Sequence, residues 1–182
     1  MKEVSRSIRH QGGFTLIEAM MVVAVLGIIL MLAVPSFSGL IERKKVEGAA
    51  EKLYADLQFA KSEAIKRNTD VYVTFNSTDQ CYGIALASGC QCQGGSPLCE
   101  LDSGVSKVVN MSEFGNTTMS NITFSGDETR FDPRRGTAFP LGRVEFQSPS
   151  GKEAHIRVST LRVKLCSPSD TDKKIIAYED CP

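Results

Sequence analysis

Six cysteines, Cys81, Cys90, Cys92, Cys99, Cys166 and Cys181, are the densest concentration of reactive side chains in this 182-residue sequence. Thiols at such spacings either pair as disulfides or hold a metal ion. Cys90 and Cys92 are too close to bond each other comfortably, so each is expected to bond outward, to Cys81 and Cys99 in one order or the other. Cys166 and Cys181 are then the remaining pair. The alternative, a zinc site on Cys81, Cys90, Cys92 and Cys99, rests on a weak Cys-x-Cys spacing with no histidine beside it, so no metal is expected. Catalytic chemistry is poorly provided for. There are two histidines, His10 and His155, no Gly-x-x-x-x-Gly-Lys phosphate loop, and no nucleophile beside a base. The Asp127-Glu128 and Glu179-Asp180 pairs sit in turn-like or terminal sequence, so neither an enzyme nor a cofactor is expected. Basic residues offer a third chemistry. Arg162 and Lys164 alternate along a strand-like run, with Arg157 nearby and Arg134 and Arg135 on a preceding loop, and such a group can bind phosphates. A solvated strand face accounts for Arg162 and Lys164 more readily. The balance of 21 basic against 21 acidic residues excludes a globally basic nucleic-acid binder.

Glu18 is the most unusual charge. It stands alone in an apolar run of 21 residues from Phe14 to Val34. A helix of that length spans roughly 30 Å, the thickness of a bilayer's hydrocarbon core, so 14–34 is predicted to be a transmembrane helix. The chain beyond it is too short to cover such a helix on every side as a buried core. A carboxylate within the bilayer costs about 2.5–3.5 kcal/mol and usually has a partner. Cleavage between Gly13 and Phe14 would create an α-amino group near the depth of Glu18, able to neutralise the Glu18 of a neighbouring copy and set axial register between helices. Glu18 could equally snorkel to the headgroups.

The elements that position these groups follow from composition and period. Hydrophobic residues at 42% and charged residues at 23% exclude a disordered or low-complexity chain. The basic leader, with Lys2, Arg6 and Arg9, ends at Gly12-Gly13 before the apolar run, and no small-residue cleavage site follows Val34. The run is therefore retained, unlike a secretory signal. That leader also favours a cytoplasmic N-terminus over Arg43, Lys44 and Lys45, which are interspersed with Glu42 and Glu47. Val46, Ala50, Leu53, Leu57, Ala60 and Ala64 then recur at helical spacing, predicting an amphipathic continuation over 35–67 with one stripe packed on a sheet. A helix from Phe14 to Arg67 would be on the order of 80 Å long. Beyond it, 71–75, 81–87, 106–111, 121–124, 137–146, 155–160 and 161–166 read as strands separated by turn signals. The expected class is α+β, a long helix on antiparallel sheet, divided as 1–13 leader, 14–34, 35–67, and a disulfide-bonded β-rich part over 68–182.

Gly13-Phe14-Thr15-Leu16-Ile17-Glu18, after a basic leader and before a long apolar run, resembles the class III signal of type IV pilins and pseudopilins. The resemblance implies a pilin-like fold, cleavage after Gly13 by prepilin peptidase, and N-methylation of Phe14. It implies assembly through an inner-membrane platform into a helical filament with other pilins and minor pilins. Glu18 would contact the adjacent subunit's N-terminus. Pro35 falls where pilins commonly carry a helix-kinking proline. The implied location is the inner membrane, single-pass with a periplasmic C-terminal part, and then the pilus. Phe131-Asp132-Pro133-Arg134-Arg135-Gly136, Gly142-Arg143-Val144-Glu145-Phe146 and a terminal Arg-Val-Lys strand ending in Cys166 resemble the group of H-type secretion pseudopilins and fimbrial minor pilins T and U. The expected function is a minor pilin of a type IV pilus, at the tip or in the priming complex. Its alternatives are an H-type pseudopilin of type II secretion and a DNA receptor for natural transformation. DNA-receptor members carry a Gly-Arg-x-Arg turn, matched in part by Leu161-Arg162-Val163-Lys164. Loss of the leader leaves 18 basic and 20 acidic residues, net −2, which speaks against that last role.

Overall fold

The computed structural model describes residues 13–102 and 105–181, and for 32–36 the backbone alone. Residues 1–12 of the expected leader at 1–13 lie outside the described residues, and at Pro35, where a kink is expected, the helical backbone continues. The chain divides into two compact units between Ser38 and Gly39. One helix, α1 (Leu16–Arg67), provides the helical part of both.

Helix α1 begins two residues later than the sequence pattern predicts, for a local reason. The Thr15 hydroxyl accepts the backbone N–H of Glu18 at 3.3 Å, which makes Thr15 the N-cap and leaves Phe14 outside the helix. The other end closes where predicted. Asn68 takes the left-handed conformation at φ 52°, its N–H donates to the Ile65 carbonyl, and the Thr69 N–H donates to that of Ala64. This is a Schellman turn, with Lys66 and Arg67 placed to complement the helix dipole. In the first unit every described side chain from Gly13 to Met31 is exposed. Among the described residues no helix is long and apolar enough to cross a membrane. The apolar run of the sequence continues through Leu32, Ala33 and Val34, whose side chains lie outside the described set.

In the second unit the predicted stripe is the spine of the core. Val46, Ala50, Leu53, Leu57, Ala60 and Ala64, joined by Ala49, are fully buried. They pack against strands arranged in antiparallel sheets. The first sheet runs β5 (Val108–Asn110), β2 (Cys81–Ala85), β1 (Val71–Asn76), β7 (Glu128–Phe131), β8 (Ala138–Phe139). The second runs β11 (Val163–Cys166), β10 (Glu153–Val158), β9 (Gly142–Gln147), β6 (Thr118–Ser120), and a short pair joins β3 (Glu100–Asp102) to β4 (Val105–Ser106). Val71, Val73 and Phe75 of β1, Phe131 of β7, Val144 and Phe146 of β9, and Ile156 of β10 meet the helix in one cluster. The α+β class and the helix-on-sheet arrangement are those expected.

Several strand boundaries differ from the sequence reading, and the 106–111 run is divided between β4 and β5, with Met111 opening a 3-10 turn. The 121–124 segment is not a strand: β6 occupies 118–120 and Asn121, at φ 47°, turns the chain out of the ladder. Thr123 still bonds Arg143, donating its N–H to the Arg143 carbonyl at 3.0 Å and accepting the Arg143 N–H on Oγ1 at 2.9 Å. The 137–146 run is two strands, β8 and β9, because Pro140 has no N–H for the ladder. Residues 159–162 form the β10–β11 turn, with the Ser159 N–H on the Arg162 carbonyl at 2.8 Å, so neither 155–160 nor 161–166 is continuous strand.

Candidate assembly segment, disulfide loop and basic groove

The N-terminal segment presents Gly13, Phe14 and Glu18 together. A Cβ at Gly13 would meet nothing within 4 Å and its φ is not in the left-handed region, so the fold itself makes no demand for glycine there. Phe14 is 83% exposed. Glu18 is the third residue of the helix, and Thr15-Leu16-Ile17-Glu18 has the Thr-x-x-Glu spacing of a capping box. Thr15 was not singled out by the chemistry of the sequence, although that spacing is its signal. A carboxylate in the first turn also sits favourably at the positive end of the helix dipole. Below it Leu16, Ile17, Met20, Val23, Ile28 and Met31 are all more than half exposed, an apolar surface of the kind that water-exposed monomers do not keep uncovered.

The structure pairs Cys81 with Cys92, Cys90 with Cys99, and Cys166 with Cys181. No group of His, Cys, Asp and Glu suited to a metal occurs among the described residues. Gly83 on β2 makes room for the second bridge: a Cβ there would lie 2.6 Å from Cys99 Cβ and 3.1 Å from Cys90 Sγ. All five residues of β2 are therefore buried, Tyr82 and Ile84 toward the helix and Gly83 and Ala85 under the disulfide loop. An in-strand glycine is the sequence signal for such a close approach.

Buried carboxylates line the second half of α1. Glu47 is held by Arg43 and Lys44, and Glu63 by Lys66 and Arg67. Burial pushes the Glu47 carboxyl up, and hydrogen bonds from Lys44 and Arg43 more than reverse this, leaving it below the ordinary range. Hydrogen bonds from Arg67 and Lys66 likewise hold Glu63 low. Arg67 also reaches Asp102 on β3 at 2.8 Å, tying the helix end to the disulfide loop.

The four basic residues singled out in the sequence sit on two turns and one strand. Arg134 and Arg135 lie on the β7–β8 turn, where Asp132 Oδ1 accepts both backbone N–H groups at 2.9 and 3.0 Å. Arg162 is in the β10–β11 turn rather than on the face of a strand with Lys164. Lys164 instead joins two other cations. The sheet register places Arg157 opposite both Lys164 and Arg143, so Arg143, Arg157 and Lys164 form one row across β9, β10 and β11. All three line a groove of 580 Å³ with Thr123, Leu141, Gly142, Val158 and Ser159. Arg134, Arg135 and Arg162 are not among its lining residues. Arg143 is the member that strand alternation alone does not reveal, because the hairpin register that aligns it with Arg157 depends on the length of the 148–152 turn.

Comparison with known proteins places this arrangement. The profile of the type II transport protein GspH matches residues 49–162, which is the packed half of α1 together with both sheets as far as the β10–β11 turn. The chain belongs to the GspH family. The prokaryotic N-terminal methylation motif matches residues 8–34 of this GspH-family protein. Among solved structures it is similar to the minor pseudopilin EpsH from the type 2 secretion system of Vibrio cholerae. That pair has 10% identity and a TM-score of 0.52, covering 69% of this chain and 99% of the other. It is also similar to the type IV minor pilin FimU of Pseudomonas aeruginosa, with 19% identity and a TM-score of 0.52, covering 72% of this chain and 98% of the other. At these identities the two structures establish a shared fold, the pilin-like helix on antiparallel sheet. No curated protein sequence matches the chain.

Proposed function

We propose that this protein is a minor pilin, cut after Gly13 by prepilin peptidase, N-methylated at Phe14, and assembled into the tip or priming complex of a type IV pilus. Before assembly it is held in the inner membrane by residues 14–34, with a cytoplasmic N-terminus and the Gly39–Pro182 unit in the periplasm. Phe14 becomes the new N-terminus, and Glu18, one helical turn in, receives the amino group of a neighbouring subunit. The assembly partners are other pilins and minor pilins and the inner-membrane platform.

The carrying observation is the N-terminal segment. Gly13 is exposed with open space around it, so its identity answers to something outside the fold, and a peptidase that admits only glycine is such a thing. Immediately after it, a capped helix presents one carboxylate above an uncovered apolar surface. The match to the methylation motif supports the same reading. The GspH family match favours a second one, an H-type pseudopilin of a type II secretion system, which uses the same N-terminal chemistry. The DNA-receptor reading has the least support, because the chain without its leader carries 18 basic and 20 acidic residues.

The test is the intact mass and N-terminal sequence of the chain after co-expression with a prepilin peptidase. The expected product starts at a Phe14 one methyl group heavier than phenylalanine, and Gly13→Val should give only the uncut chain, since a branched side chain does not fit a glycine-shaped cleavage pocket. A mature-length product from Gly13→Val would overturn the processing reading.

A further inference from the structure

The groove at the end of β9, β10 and β11 takes no part in processing or in the N-terminal contact, yet it is built at a cost. Like charges directly opposite on neighbouring strands repel, and Arg143, Arg157 and Lys164 form such a row. Carboxylates are the anions this row already accepts. Arg143 Nε lies 3.1 Å from Glu145 Oε1 without hydrogen-bond alignment, and Lys164 Nζ lies 3.1 Å from Glu179 Oε2. Glu179 is a loose partner: its side chain is 82% exposed on the C-terminal segment, and exposed pairs of this kind hold weakly. An incoming carboxylate can replace it. Beside the cations the apolar part of the wall is the exposed Leu141. The connections that supply Leu141 and Ser159 also expose Phe139 and Leu161.

We propose that this groove docks an acidic segment of another filament subunit, with a carboxylate on Arg157 and Lys164 and a neighbouring aliphatic side chain against Leu141. The occupant follows from charge and wall together. A single-stranded nucleic acid would find no aromatic side chain among the lining residues on which to stack a base. A carboxylate beside an aliphatic side chain uses both the cations and the apolar wall. The proposal rests on the assembly reading above, which supplies the neighbouring subunit.

The experiment is an amide chemical-shift titration of the processed chain, residues 14–182, in zwitterionic detergent micelles. The probes are acetyl-Leu-Asp-Leu-Asp-Leu-amide, its Asn twin acetyl-Leu-Asn-Leu-Asn-Leu-amide, and a single-stranded DNA of about 12 nucleotides. The Asp peptide should saturate shifts at Gly142, Val158 and Ser159, and the Asn twin should bind at least about tenfold more weakly. Arg157→Gln and Lys164→Gln should each weaken the Asp peptide by about the same factor, with unchanged shifts in α1 showing that the fold is kept. Equal binding of the two peptides, no saturable shift, or DNA acting on the same amides at lower concentration would each overturn the proposal. Failure of the Gly13 experiment together with intact Asp-peptide binding would instead remove the assembly reading and leave the groove.

Discussion

Removing a single oxygen from the core, by Tyr82→Phe, tests how the helix is locked to the sheet. Tyr82 on β2 is 1% exposed and its hydroxyl donates to Asp56 Oδ2 at 2.8 Å. Asp56 on α1 is 4% exposed and also accepts Lys52 Nζ at 2.8 and 2.7 Å, with Lys107 Nζ at 3.7 Å. Phenylalanine keeps the ring, so no cavity opens, and only the charge-assisted hydrogen bond is lost. Such a bond contributes about 1.5–3 kcal/mol. The two lysines still serve Asp56, which sets the cost at the lower end, about 1.5 kcal/mol. For a unit of this size that lowers Tm by about 3–6 °C. Asp56→Ala should cost more, because it strands the Tyr82 hydroxyl and releases both lysines. In that background Tyr82→Phe should cost nothing further, giving a coupling of about 1.5 kcal/mol. The assay is thermal unfolding of the Gly39–Pro182 unit followed by near-ultraviolet circular dichroism. The same lock has an alkaline signature. Burial, followed by the Asp56 charge, raises the Tyr82 phenol far above its ordinary value of 10.0. A group raised on folding stabilises below its unfolded pKa and loses that contribution as pH climbs toward the folded one. The native chain should therefore lose stability above about pH 10 more steeply than Tyr82→Phe. Equal Tm for the two proteins, or the same Tyr82→Phe cost with and without Asp56, would refute the reasoning.

Glu47→Gln addresses the acid side. Glu47 is held below its ordinary value of 4.5, so its contribution is present above that pH and is lost as pH falls toward the folded value. The variant should be the less stable at pH 7, with the gap closing in acid-unfolding curves below about pH 4; a gap that stays constant with pH would argue against the Lys44 and Arg43 pairing. Gly83→Ala should destabilise by about 1–3 kcal/mol through overpacking against the Cys90–Cys99 bridge, read as a fall in Tm. An unchanged Tm would show that the bridge yields freely.

Much of this architecture was legible because its period is strong. The Val46 to Ala64 stripe buries one face of a helix, and helical spacing reports a one-sided face directly. The end at Arg67 follows from the polar Asn68-Thr69 that succeeds it. Strand β2 obeys no such rule, since the disulfide loop buries its second face and erases the alternation. Asn121 and the Ser159–Arg162 turn escape pattern reading because single backbone conformations decide them, and nothing in the side-chain alternation reports a φ of 47°. Gly13, Phe14 and Glu18 were legible as a contiguous motif. The basic row was not: Arg143, Arg157 and Lys164 are spread over 22 positions and meet only through the registers of two hairpins. Arg134, Arg135 and Arg162, closer to hand in the sequence, belong to turns whose backbones are tied down.

The central claim is that Glu18 serves assembly between subunits rather than the folding of its own helix, whose cap is Thr15. The most direct measurement compares native chain and Glu18→Ala in sheared filament and membrane fractions of cells, by immunoblot. The account predicts a Glu18→Ala protein that is cleaved at Gly13, present in the membrane at the native level, and largely missing from the filaments. Native incorporation of the variant into filaments would contradict it.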